Sequence, residues 1–375
     1  MKVAFIGQKG IPAKSGGVDI HVENLAVFLA KKNQEVIVYN RFGYLTEKTK
    51  EWQGIKLVSL PYINHKNLAA ITHGFLATIH AMISRVDVIH FHGIGPSLLA
   101  WLPRLFTPRI KVVSTLHSFD YGNDKWGRFA KFMLRLGEGT MCRFAHQVIV
   151  LTPVMHDYLL QRYGRESIII PNGAHIPENI GSDQLAALGL EPGKYILSLS
   201  RIIRLKGIQY LIEAVNNLPD SDLKLAIVGD GEYLPELKKL AANNPRIIFT
   251  GNQSGDTLHQ LYANAKLFVQ SSEMEGLSIA LLEAMTHGLP CLASDIIANQ
   301  EATAETAVYF KSKNVADLQE KLVALITDSA KLKSLGASAK RRAQENFDWG
   351  IISDKIIDVY KTSPEPVLAE DSLSY

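Results

Sequence analysis

The sequence predicts an α/β protein made of two open parallel sheets, and three observations predict it. Short apolar runs such as Lys2–Ile6, Glu35–Tyr39, Ile110–Leu116, Tyr195–Ser200 and Leu223–Val228 alternate with helical stretches along the whole chain. At 375 residues the chain is too long for one ordinary core. The alternation breaks once, at Ile168-Ile-Ile-Pro-Asn-Gly-Ala-His-Ile-Pro177, where two prolines and a glycine interrupt it. That break sets an N-terminal domain over 1–172 and a C-terminal domain over 180–347.

In the first half, Lys2–Ile6 reads as a buried strand, followed by a glycine-bearing loop to Gly17 and a helix from about Asp19 to Lys32. Strands are then expected at Glu35–Tyr39, Ile55–Leu60, Val86–Phe91, Ile110–Leu116, Gln147–Leu151 and Ser167–Ile170, with a helix near 67–83. Parallel sheets bind ligands beyond the carboxyl ends of their strands, so the informative residues lie there. Gly16 and Gly17 let backbone approach a phosphate at the start of the next helix. No Gly-x-Gly-x-x-Gly follows the first strand, which disfavours a dinucleotide-dependent oxidoreductase. His117 lands at the end of another strand, where a side chain can reach a ligand. His90 and His92 form a His-x-His half-site without a second pair, and both read as structural.

The second half repeats the alternation. Tyr195–Ser200 ends in Arg201-Ile-Ile-Arg-Leu-Lys-Gly207, which puts Arg201 and Lys206 at a strand end and a helix start. Gly229 follows the next strand, and Asn252-Gln253 follow the one after. The stretch from Gln270 to Pro290 turns at Gly276 and enters a helix. The free N–H groups of Leu277, Ser278 and Ile279 favour an anion at its start. Glu275 at the turn and Glu283 inside the helix can each accept hydrogen bonds from a pair of hydroxyls. A carboxylate, an anion site and a second carboxylate suit a sugar–pyrophosphate–ribose ligand.

Four elements occur in order along nearly the whole chain: Gly16-Gly17, His117, Arg201 with Lys206, and Glu275 with Glu283. Together they resemble the retaining glycosyltransferases of GT-B architecture, the family-4 type. The resemblance implies two Rossmann-like domains facing each other across a cleft, with a final helix (about 349–361) crossing back to the first. It implies donor contacts from Gly16, Gly17, Arg201, Lys206, Gly229, Asn252, Gln253, Glu275, Gly276, Leu277, Ser278, Ile279 and Glu283. It also implies catalytic roles for His117, Arg201, Lys206 and Glu275, and no metal or other cofactor. Around His117, His-Ser-Phe-Asp-Tyr with Lys-Trp-Gly close behind is similar to bacterial enzymes that build surface polysaccharides. Asp120 and Lys125 join His117 there as candidate acceptor contacts. The expected activity is transfer of a sugar from a nucleotide-diphosphate donor to an acceptor hydroxyl. A nucleotide-sugar 2-epimerase and a non-catalytic nucleotide-sugar-binding protein share the architecture and are the alternatives.

Composition limits the remaining classes. Apolar content of 47% and charge of 21% are those of a globular protein. The two cysteines, Cys142 and Cys291, match no metal spacing and fit a reducing compartment. No uncharged apolar run reaches the roughly 18 residues of a membrane span, so a cytoplasmic protein is expected. The net charge of +3 divides unevenly. Residues 1–175 carry 21 Lys/Arg against 11 Asp/Glu (+10), and the remainder carries 19 against 26 (−7). A basic half attracts anionic partners. The basic, aromatic stretch Lys125–Arg143 can lie on an anionic membrane or bury its apolar stripe against the sheet. No nucleic-acid motif accompanies it. Asp220-Ser-Asp222 reads as a solvated turn, and the tail over 362–375 as disordered.

Overall fold

A computed structural model of the protein describes residues 1–14, 16–45, 49–65, 68–119, 127–175, 180–219 and 222–362. Asp120, Lys125, Asp220 and the tail from 363 lie outside the described residues. The chain divides into two compact units, Met1–Ile170 with the chain from Ile352 onward, and Pro171–Ile351. The first break therefore falls at 170 rather than 172. Asn172 is buried in the second unit, where its Nδ2 donates to the Leu277 carbonyl at 2.8 Å. Trp349, the first residue of the last helix (Trp349–Lys361), lies so close over Gly173 that a side chain at 173 would overlap its indole. That packing keeps Trp349 in the second unit.

Unit 1 holds an eight-stranded sheet. Its strands are β1 (Lys2–Ile6), β2 (Glu35–Arg41), β3 (Glu51–Trp52), β4 (Ile55–Leu60), β5 (Val88–His92), β6 (Lys111–Leu116), β7 (Gln147–Val150) and β8 (Ile168–Ile169). Their order is β3-β4-β2-β1-β5-β6-β7-β8. All neighbours are parallel except β3 and β4, an antiparallel edge pair that alternation alone did not reveal. Every residue of β5 and β6 is buried, as expected of strands covered on both faces. The helix Gly17–Lys31 lays Val22, Leu25, Ala26 and Leu29 on this sheet at helical spacing. It begins two residues before the expected Asp19, because Gly16 at φ 101° makes the turn into it. The last helix packs on unit 1 with its C-terminal half. Tyr360 Oη lies 2.7 Å from His90 Nδ1, and Lys111 Nζ donates to the carbonyls of Val359, at 2.5 Å, and Thr362.

Unit 2 holds six parallel strands: β9 (Tyr195–Leu199), β10 (Lys224–Val228), β11 (Ile247–Gly251), β12 (Leu267–Gln270), β13 (Cys291–Ser294) and β14 (Ala307–Phe310). Their order, β11-β10-β9-β12-β13-β14, reverses direction between β9 and β12. In unit 1 the same reversal falls between β1 and β5. These are the switch points beyond which ligands of open sheets sit. The core of unit 2 joins Leu225 and Ile227 of β10 to Leu211, Ile212 and Val215 of the helix Ile208–Asn216. No described helix is long and apolar enough to cross a membrane. Both cysteines are buried free thiols, and burial pushes the Cys142 thiol up to about 12.

Candidate active site

The loops after β9 and β12 meet because those strands are neighbours. Glu273 N donates to the Leu205 carbonyl at 2.8 Å, and Ser271 Oγ donates to the Lys206 carbonyl at 3.1 Å. These bonds set Lys206 against Glu275, with Nζ 2.5 Å from Oε1. The same oxygen accepts from Ser272 Oγ and Gln270 Nε2, each at 2.7 Å. The pair is largely desolvated, with side-chain exposures of 19% for Lys206 and 8% for Glu275. Glu275 is thus held in one orientation, with one oxygen occupied by three donors. Beside it, Glu273 accepts from Tyr210 Oη and pairs with Lys313 Nζ, both at 2.8 Å.

Glu275 leads into the helix Ile279–Thr286. Ser278 caps it, its Oγ accepting from Leu281 N at 3.3 Å. Ile279, Leu282 and Ala284 are buried as expected, and Leu277 and Gly276 are buried before them. Glu283 keeps part of its surface exposed while its carboxyl is desolvated. Burial pushes that carboxyl up to about 7, against the Tyr262 hydroxyl, which donates to it at 2.9 Å and favours the ionised form.

This raised value has two consequences of opposite sign. The folded ligand-free protein holds the Glu283 proton more tightly than the unfolded chain does. The stability that the group contributes is therefore full in acid below 4.5 and is lost as pH rises through about 7. A hydroxyl donor prefers the ionised carboxylate, so affinity for a ligand that brings hydroxyls to Glu283, a nucleoside diphosphate being the probe, is expected to rise as pH climbs through about 7. Calorimetric titrations on either side of that pH should show the rise, and Glu283→Gln should flatten it. A wild-type affinity that does not change with pH would mean that no ligand hydroxyl meets Glu283.

The remaining unit 2 candidates stand around this pair. Arg201 is exposed at the end of β9, with no partner recorded among the described residues. Gly229 follows β10 at φ 133°, and a side chain there would overlap the Ser200 carbonyl. Asn252 is exposed beyond β11. Gln253 turns inward, its Nε2 donating to the Thr250 carbonyl at 2.8 Å, so its backbone is what remains to meet a ligand.

In unit 1 the loop before Gly16 is held by buried polar side chains. Asp19 Oδ1 accepts from Lys9 N at 2.8 Å, and Glu23 accepts from Ala13 N. Asn40 exchanges two bonds with the Ile11 backbone at 3.0 and 2.9 Å. His117 follows β6 and is buried, with Nε2 3.2 Å from His92 Nδ1. His21, from the helix after β1, packs edge-on against it at 4.7 Å between ring centroids. Burial pushes His90, His92 and His117 well below the ordinary histidine value, so these rings are neutral. His90 is structural as expected, bonded to Tyr360 and to Thr115 Oγ1 at 2.7 Å each. His92 has two further rings beside it, His117 and His21, which the sequence keeps apart.

Sequence reasoning missed His21, Gln270, Ser272 and Tyr262. His21 stands four residues after Gly17, one turn into the helix, which could have marked it. Nothing local marks Tyr262, which reaches Glu283 from another helix, Gly255–Asn264.

Two family models match the chain. One, described as Glycosyltransferase Family 4, covers residues 15–176, and the other, Glycosyl transferases group 1, covers 183–342. Sulfoquinovosyl transferase SQD2 of Arabidopsis thaliana is 35% identical over 173 residues, 44% of this chain and 33% of that protein. The chain thus spans about a third of that relative. Sucrose-phosphate synthase from Thermosynechococcus elongatus has the same fold, with a TM-score of 0.83 at 22% identity over 96% of this chain and 98% of that one. HepE of Anabaena in complex with UDP-glucose gives 0.79 at 23% identity, over 96% and 99%. Two parallel-sheet units of this kind define the GT-B fold. The chain belongs to the GT-B glycosyltransferases of the family-4 type, and it is a glycosyltransferase.

Proposed function

We propose that the protein transfers a sugar, with retention at the anomeric carbon, from a nucleoside diphosphate donor to a hydroxyl of a lipid-linked saccharide in bacterial polysaccharide synthesis. The Lys206–Glu275 pair, with Glu283 on the following helix, carries this reading. Glu275, aimed by Ser272 and Gln270, accepts from hydroxyls of the donor sugar, and Glu283 accepts from the ribose. Arg201 and Lys206 meet the diphosphate, which gains negative charge as the glycosidic bond breaks. Gly16, Gly17 and the N–H groups of Leu277, Ser278 and Ile279 give it backbone donors, and the backbone at Gly229, Asn252 and Gln253 leaves room for the nucleoside. The departing phosphate takes the proton of the acceptor hydroxyl, and His117 positions sugar and acceptor with Asp120 and Lys125. A double displacement would need two carboxylates about 5–5.5 Å apart at the anomeric carbon. Glu275 and Glu283 are assigned here to different rings and do not supply them.

The step uses no metal, so EDTA should not lower the rate. The decisive experiment offers UDP-, GDP- and dTDP-sugars with a lipid-diphosphate saccharide and follows the product by mass spectrometry and its anomeric configuration by NMR. An inverted linkage, or epimerised donor without transfer, would overturn the proposal.

The helix Arg128–Phe144 supports a place on the inner face of the cytoplasmic membrane. Phe129 and Phe132 are 73% and 60% exposed, and Leu136 is exposed one turn on. The apolar stripe is therefore not wholly spent on the sheet. Arg128 and Arg135 are exposed beside it, and Lys131 is half-buried. Cations flanking an exposed aromatic stripe suit an anionic lipid interface. Flotation with anionic vesicles should fall sharply when Arg128, Lys131 and Arg135 are changed to Glu. Unchanged flotation would remove the membrane from the proposal.

A further inference from the structure

We propose that His21, His92 and His117 form a three-imidazole site for a divalent transition-metal cation of the Zn2+ class. The three residues come from three elements that converge at the switch point of the unit 1 sheet. His92 ends β5, His117 follows β6, and His21 stands in the first turns of the helix after β1. Candidate donor atoms from the three rings all lie within 4.8 Å of one another.

The ring positions are close to those that such an ion requires. Bonds of about 2.0–2.1 Å to tetrahedral imidazole nitrogens place ring centroids roughly 5.1 Å apart and donor nitrogens roughly 3.4 Å apart. The observed centroid separations are 4.7 Å for His21 and His117, 5.4 Å for His92 and His117, and 5.5 Å for His21 and His92. The His92 and His117 nitrogens are 3.2 Å apart. An all-nitrogen donor set selects Zn2+, Co2+, Ni2+ or Cu2+ over Mg2+ and Ca2+, which take oxygen.

Metal at this site takes the His117 lone pair, so occupancy and the role proposed for His117 exclude each other. Zn2+ is therefore expected to slow transfer. That consequence rests on the function proposed above, whereas binding itself does not.

The test uses the full chain, stripped with chelator and free of nucleotide, so that it is independent of the donor site. Titration with Co2+ is expected to saturate at one equivalent with the intense visible bands of a tetrahedral ion, and Zn2+ should displace it. His21→Asn and His92→Asn should each weaken binding at least about 10-fold. The two variants lie on a helix and on a strand, and melting curves identify any that fails to fold, leaving the other to report. Absence of the tetrahedral bands would overturn the site, as would equal binding in a folded variant. So would bands that vanish only in His287→Asn, because His259 and His287 form a histidine pair in unit 2 with nitrogens 3.4 Å apart.

Discussion

Lys206→Ala is expected to lower turnover by about 10²–10³-fold in a protein that still folds, with some loss of melting temperature because the Glu275 carboxylate loses its cation. The size follows from removing one preorganised positive group from a leaving diphosphate, a loss of about 2.7–4 kcal/mol when the group is desolvated. Lys206 is mostly shielded and fixed at 2.5 Å from Glu275, whereas Arg201 is exposed and freer to be replaced by water. Arg201→Ala should therefore cost less. Folding should survive because Glu275 keeps Ser272 and Gln270 as partners. Glu275→Ala should abolish transfer as well, by removing the acceptor of the sugar hydroxyls. Steady-state rates with the identified donor check both variants. Near-normal turnover in a folded Lys206→Ala would sink the diphosphate assignment.

Gly207→Ala should strongly destabilise unit 2. Gly207 sits at φ 66°, a left-handed conformation that costs a residue with a Cβ about 1–2 kcal/mol. A methyl group there would also overlap the Ser271 carbonyl oxygen, a backbone atom of the neighbouring loop. The two loops would have to separate, breaking the contacts that set Lys206 against Glu275. A total loss of about 3 kcal/mol corresponds to a fall of roughly 6–12 °C in the melting temperature of a domain this size. Gly43→Ala is the control. It shares a left-handed φ, 78°, but has nothing within 4 Å of the added methyl. If Gly207→Ala melts no lower than Gly43→Ala, close approach of the loops is not what requires glycine at 207.

The place of a candidate residue was readable wherever it depends on position along one element. Gly16, Arg201, Lys206 and Glu275 follow apolar runs, and a run marks a strand whose carboxyl end is a binding edge. Ser278 precedes a helical stretch and caps it. The reading failed where a role depends on which strands are neighbours. Tyr262 beside Glu283, and His21 and His117 beside His92, escaped it because each stands on a different element, His21 about seventy residues before His92 and His117 twenty-five after. The antiparallel β3 was missed because a two-residue edge strand has too little periodicity to register.

The amino-acid sequence by itself determined the two-domain α/β plan, the strand ends beyond which the candidate residues stand, and the order of the family's motifs. Each follows from local hydrophobic period and turn chemistry. Only the tertiary structure decided that Lys206 grips Glu275, that the Tyr262 hydroxyl donates to a Glu283 carboxyl raised to about 7, and that the buried rings of His21, His92 and His117 meet. The physical reason is that charge pairing and desolvation depend on strand order, and strand order brings together residues that no local pattern relates.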